Sequence, residues 1–85
     1  MPEISRFLGI VIRMYIREHH PAHFHAEYGK YEITVDIETG IVTGKFPRRA
    51  LSAVLEWYEL HQNELMANWE AAMDRRPLSK IEPLE

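Results

Sequence analysis

Four of the five histidines in this chain fall within ten residues, in the run Glu18-His19-His20-Pro21-Ala22-His23-Phe24-His25-Ala26-Glu27. An unperturbed imidazole titrates near pH ~6.5, so such a cluster can hold a metal, relay protons or switch with pH. His23 and His25, two positions apart, share one face of a strand, as a chelating pair requires. His19 can converge on them where the chain turns. Three imidazoles around one point suit zinc or another divalent cation with an open coordination position. Alternatively, His19, His23 and His25 could be acid, base and phosphate contacts, with Tyr15 or Arg17 assisting. Histidine pairs suit phosphodiester cleavage, because one ring accepts a proton while the other donates one. Against both stands a plainer reading: antiparallel sheets often keep one wet face of mixed polar and charged side chains.

A second group of residues suggests binding rather than catalysis. Arg48 and Arg49 follow Pro47 at the expected start of a helix. Free N–H groups there carry partial positive charge and favour acidic neighbours, so two arginines break the rule. Together with those N–H groups they could form an anion or partner contact. Trp57 sits beside the apolar stripe of the same helix and could face a partner or close the edge of the core.

The chain must position these groups with 85 residues, no cysteine and a net charge of −3. A domain of this size buries only about 60% of its unfolded surface, so a bound ion or a partner chain would help it. Without thiols, disulfides and thiolate metal sites are excluded. The acidic balance counts against a general nucleic-acid binder, whose affinity comes largely from phosphate contacts. No apolar run approaches the ~20 residues of a membrane span, and no signal peptide is visible. The expected setting is cytoplasmic.

Apolar residues alternate at Ile10, Ile12, Met14 and Ile16, at Phe24, Ala26 and Tyr28, at Ile33, Val35 and Ile37, and more weakly at Val42 and Phe46. Each set predicts a strand with one apolar face. Tyr28-Gly29-Lys30-Tyr31 and Glu38-Thr39-Gly40-Ile41 read as two-residue hairpin turns. With Glu18 to Ala22 as a five-residue loop, the outer face carries the rows Arg17/His23/Asp36/Thr43, Tyr15/His25/Thr34/Lys45 and Arg13/Glu27/Glu32. From Pro47, the residues Leu51, Val54, Leu55, Tyr58, Leu65, Met66, Trp69 and Met73 recur at helical spacing, interrupted at Gln62. A single helix over 47–75 would run roughly 43 Å, twice the ~20 Å of a six-residue strand. A break is therefore expected near His61-Gln62-Asn63, with Asn63 as N-cap. His61 would then return towards the histidine loop, while Arg48-Arg49 would lie at the opposite sheet edge. The predicted fold is α+β: a four-stranded antiparallel meander followed by a kinked helix or two helices on one face. Residues 1–76 form a single domain and 77–85 a tail that Ile81 and Leu84 could pin.

The segments Met1-Pro2-Glu3-Ile4-Ser5-Arg6-Phe7, Gly9-Ile10-Val11-Ile12-Arg13-Met14-Tyr15, His19-x-Pro21-x-His23-Phe24-His25-Ala26-Glu27-Tyr28 and Leu51 to Trp69 resemble a small bacterial family, domain of unknown function 4160. Members commonly carry Pro where this chain has Ala22 and Asn where it has His20, which leaves His19, His23 and His25 as the set carried over. The resemblance implies no established activity, and suggests a toxin–antitoxin-like pair with another small protein. Three readings stand: a partner-binding module, by a protein partner or self-association; a histidine ribonuclease or phosphodiesterase; and a histidine-dependent metal-binding protein.

Overall fold

Period-two alternation in the first half of the chain becomes a sheet, and helical periodicity in the second half becomes two helices across one face of it. The computed structural model describes residues 3–16 and 18–84. Its strands are β1 (Glu3–Phe7), β2 (Ile10–Arg13), β3 (His23–Tyr28), β4 (Tyr31–Asp36) and β5 (Val42–Lys45), followed by the helices α1 (Arg48–Leu60) and α2 (Gln62–Met73). The strands form one antiparallel sheet in sequence order. Among the described residues no helix is long and apolar enough to cross a membrane.

The sheet has five strands where four were expected. The extra strand, β1, escapes a period-two reading because its register with β2 shifts between Glu3 and Ser5. A bulge of this kind adds a residue to one strand, so Ile4, Ser5 and Phe7 are all buried and the alternation is lost. The outer edge of β1 is covered by the C-terminal segment. The Ile81 N–H donates to the Ile4 carbonyl at 2.8 Å, and the Ser5 hydroxyl donates to the Ile81 carbonyl at 3.0 Å.

The expected inner face is the core: Ile10, Ile12, Met14, Phe24, Ala26, Ile33, Val35 and Ile37 are all buried. Two positions depart from it. Ile16 is 51% exposed, because β2 ends at Arg13, and Tyr28 is 37% exposed at the hairpin end. Pairing of β3 with β4 is as expected, with His23 opposite Asp36, His25 opposite Thr34 and Tyr28 opposite Tyr31. The flanking strands are displaced by two residues. His25 faces Arg13 rather than Tyr15, and Thr34 faces Thr43 rather than Lys45. A shift of two preserves the face of every side chain, so the error lies in loop length. At the β4–β5 turn the cause is Asp36, whose carboxylate accepts the Glu38 and Thr39 N–H groups at 2.9 Å each. That side-chain-capped turn is wider than a two-residue hairpin.

The long helix is broken as expected. His61, at φ −128° and ψ 26°, separates α1 from α2. The N-cap position of α2 is therefore His61 and not Asn63, and that of α1 is Pro47. Gln62 interrupts the apolar stripe for a reason: its amide donates to the Ile37 carbonyl at 3.3 Å and to the Tyr58 hydroxyl at 3.1 Å. Tyr58 itself donates to the Ile37 carbonyl at 2.7 Å. The end of β4 is thus tied to the helix junction, beside the start of β3.

Candidate functional site

The connection from β2 to β3 contains a cis His20–Pro21 peptide and enters β3 at His23. Alternation in β3 buries Phe24 and Ala26 and turns the rings of His23 and His25 to the opposite face. Those rings are largely covered there, with side chains only 15% and 13% exposed. Tyr15 stands edge-on to His25 at 4.6 Å between ring centroids, and Trp69 of α2 reaches His23 at 5.3 Å.

Glu18, the first residue of the histidine run, supplies the group at the centre. Its Oε1 lies 2.7 Å from Nε2 of His25 and 2.9 Å from Nε2 of His23. Nδ1 of His23 lies 2.7 Å from the Pro21 carbonyl oxygen, and Nδ1 of His25 lies 3.1 Å from Oε2 of Glu32. All four ring nitrogens therefore face atoms that can only accept a hydrogen bond. A neutral imidazole has one N–H. With Glu18 ionised, meeting all four contacts takes either a proton on every ring nitrogen or a cation in place of the two protons between Nε2 and Glu18.

The outer contacts match what a metal site needs. A ligating histidine usually donates its second ring N–H to a carboxylate or a backbone carbonyl, which fixes its tautomer and orientation. His23 has the carbonyl of Pro21 and His25 has the carboxylate of Glu32. Among the described residues, Glu18, His23 and His25 form a group able to hold a metal, each offering one ligand atom within 4.8 Å of the others. Ligands about 2.1 Å from a tetrahedral ion sit roughly 3.4 Å apart. Glu18 Oε1, now at 2.7 and 2.9 Å, would need to draw back by roughly 0.5–0.7 Å. Burial pushes the Glu18 carboxyl up, but the hydrogen bond and charge of His25, with the charge of His23, outweigh it and hold the group below its ordinary range.

The remaining sequence-predicted residues are placed as follows. His19 is exposed and lines a cavity of about 300 Å³ with His23, Asp36 and Thr43. It is not in the group with His23 and His25 that could hold a metal; Glu18, at the head of the run, is. Burial and the charges of Glu27 and Glu32 raise the Tyr15 hydroxyl above its usual range, so it stays protonated near neutral pH. Arg17 lies outside the described residues. His61 does return to the sheet end where β3 begins, but its Nδ1 pairs with Glu64 and its ring packs on Trp57. Arg48 and Arg49 are exposed at the opposite end, Arg49 beside Leu8 and Tyr28, and neither forms an ion pair among the described residues.

Trp57 requires a correction. It is fully buried, packed against Phe7 and Phe24, and its indole N–H donates to the Glu82 carbonyl at 2.8 Å. It cannot face a partner. Its place in the core follows from β1 and the C-terminal segment, neither of which the helical stripe alone reveals.

No curated protein and no solved structure matches the chain. Residues 9–70, which contain the whole histidine run, match the family described as a domain of unknown function (DUF4160), and the chain belongs to that family.

Proposed function

We propose that this protein binds a divalent cation of the zinc type through Glu18, His23 and His25. The observation that carries this reading is the placement of one carboxylate oxygen against Nε2 of both rings while both Nδ1 atoms face fixed acceptors. Without a cation, meeting all of these contacts takes extra protons crowded between two rings only 5.2 Å apart between centroids. Like charges side by side oppose that arrangement. A metal removes the conflict, because each Nε2 then offers a lone pair and each Nδ1 keeps its proton.

Two imidazoles and one carboxylate leave a coordination position for water or substrate, as in catalytic rather than structural zinc sites. Hydrolysis of a phosphodiester or similar bond fits such an ion, which lowers the pKa of its bound water. It fits two free imidazoles less well, since every ring nitrogen already faces an acceptor. The pairing with a second small protein that the family resemblance suggests is compatible with the metal and is not carried by any contact at this site.

The test is titration calorimetry on chelator-treated, tag-free protein with Zn²⁺, Mn²⁺ and Ni²⁺ in turn. One ion per chain is expected for at least one metal, lost in His23→Ala and His25→Ala and kept in His61→Ala. Absence of stoichiometric binding for all three metals would remove the reading.

A further inference from the structure

On the other side of the His20–Pro21 loop lies a concavity of about 630 Å³. Its floor is the half-buried face of α2, where Met66, Trp69 and Met73 recur at helical spacing, and Pro21 and Ala22 form the facing wall. Its rim carries the exposed carboxylates of Glu38, Glu70 and Asp74. Arg76, the one arginine or lysine on the rim, is already paired with Asp74 at 3.2 Å. Glu38 and Glu70 have no ion-pair partner among the described residues. The groove is thus apolar at the bottom, with two uncompensated negative charges above.

We infer that this groove docks a short basic segment of a partner polypeptide, one apolar side chain seated over Met66, Trp69 and Met73 and its flanking lysines or arginines against Glu38 and Glu70. The volume lies within the 300–1,000 Å³ range of binding clefts built this way, with an apolar lining and a few polar groups that set orientation. Methionines re-pack easily around an incoming side chain, which suits a peptide contact. Charge complementarity selects the partner: an acidic rim raises the encounter rate of a basic segment and rejects an acidic or phosphate-bearing one. A second copy of this chain is a poor occupant on charge, since it carries a net charge of −3 itself. None of Glu18, His23 and His25 lines the groove, although His23 touches Trp69 and Pro21, so the test is run without metal.

The experiment is an NMR titration of the full chain in EDTA. One probe is an amidated pentapeptide with a central leucine between lysines; the control replaces its lysines by glutamates. Shifts of the Trp69 indole and of the Met66 and Met73 methyl groups are expected with the basic peptide alone, and should weaken as salt rises. The double variant Glu38→Lys/Glu70→Lys changes only exposed side chains and should keep the free-protein spectrum of the core. It should bind the basic peptide about tenfold or more weakly, since each exposed pair contributes modestly, and should bind the acidic one measurably. Three results overturn the inference: no response to the basic peptide, equal response to both peptides, or basic-peptide shifts confined to surfaces other than the groove. Self-association detected by sedimentation, abolished by the same double variant, would identify a second copy as the occupant and equally overturn it.

Discussion

Replacing Glu18 by glutamine separates a metal ligand from a structural ion pair. If a site binds only the folded state, free ligand at about 100 times Kd stabilises it by about 2.7 kcal/mol. In a domain of this size each kcal/mol raises Tm by about 4–8 °C, so saturating zinc should raise it by roughly 11–22 °C. Loss of a second-shell partner alone costs about 10–100-fold in metal affinity, so loss of a charged ligand should cost at least about 100-fold. At the same zinc concentration Glu18→Gln then sits near its own Kd and gains only about 0.4 kcal/mol, or about 2–3 °C. Without metal the variant should be nearly unchanged. The new amide N–H can donate to a neutral Nε2 of His23 or His25, while each Nδ1–H keeps Pro21 or Glu32 as acceptor. Differential scanning fluorimetry of both proteins, with zinc and with EDTA, gives the four numbers needed. Two outcomes refute the reasoning: an equal zinc shift in both proteins, or a Glu18→Gln variant already destabilised by several kcal/mol in EDTA. The second would show that Glu18 exists to pair with two imidazolium rings.

Trp57→Ala should cost about 3–5 kcal/mol, a large part of the roughly 4–13 kcal/mol available to a domain of this length; urea unfolding measures it, and a loss under 1 kcal/mol would contradict the buried indole. Asp36→Ala should cost about 1 kcal/mol through two lost backbone hydrogen bonds, with Asp36→Asn milder. Hydrogen bonding from Thr39 holds the Asp36 carboxyl below its ordinary value. Its contribution is therefore present above the unfolded pKa of about 3.9 and is lost as pH falls through the lower folded value. The stability gap between wild type and Asp36→Ala should shrink as pH falls below about 4, and a gap that widens there would reverse the sign. Gly44→Ala places a Cβ 2.7 Å from the Glu32 carbonyl oxygen at φ +111°, and should cost about 1–3 kcal/mol or detach β5, seen as faster amide exchange in Val42–Lys45. Truncation after Arg76 removes the bonds from the C-terminal segment to Ile4, Ser5 and Trp57 and should abolish cooperative unfolding in urea.

Much of the architecture is visible in local pattern. Alternation assigns faces to the strands because successive side chains point oppositely, and a register slip of two residues leaves those faces intact. That is why His23 and His25 could be placed opposite Phe24 and Ala26 without knowing how long the first loop is. The helix break at His61 follows from length alone, since α1 spans about 20 Å, the reach of the strands beneath it. The inner-face hydrophobics, the turn at Gly29 and the outward imidazole pair belong to the same class, each decided by neighbours within a few residues.

What tertiary structure alone decided are the groups whose partners lie far along the chain. β1 carries a bulge that hides its period, and its outer edge is closed by Ile81, 77 residues after Ile4. Around Trp57, Phe7 and Glu82 come from opposite ends of the sequence to complete the cover that Phe24 begins. Glu18 looks like one more solvated loop residue until a nine-residue connection folds its carboxylate over the sheet, between two rings that the strand holds in place. Side-chain alternation specifies where a histidine points. Only the path of a loop, with no periodicity to betray it, specifies what it points at.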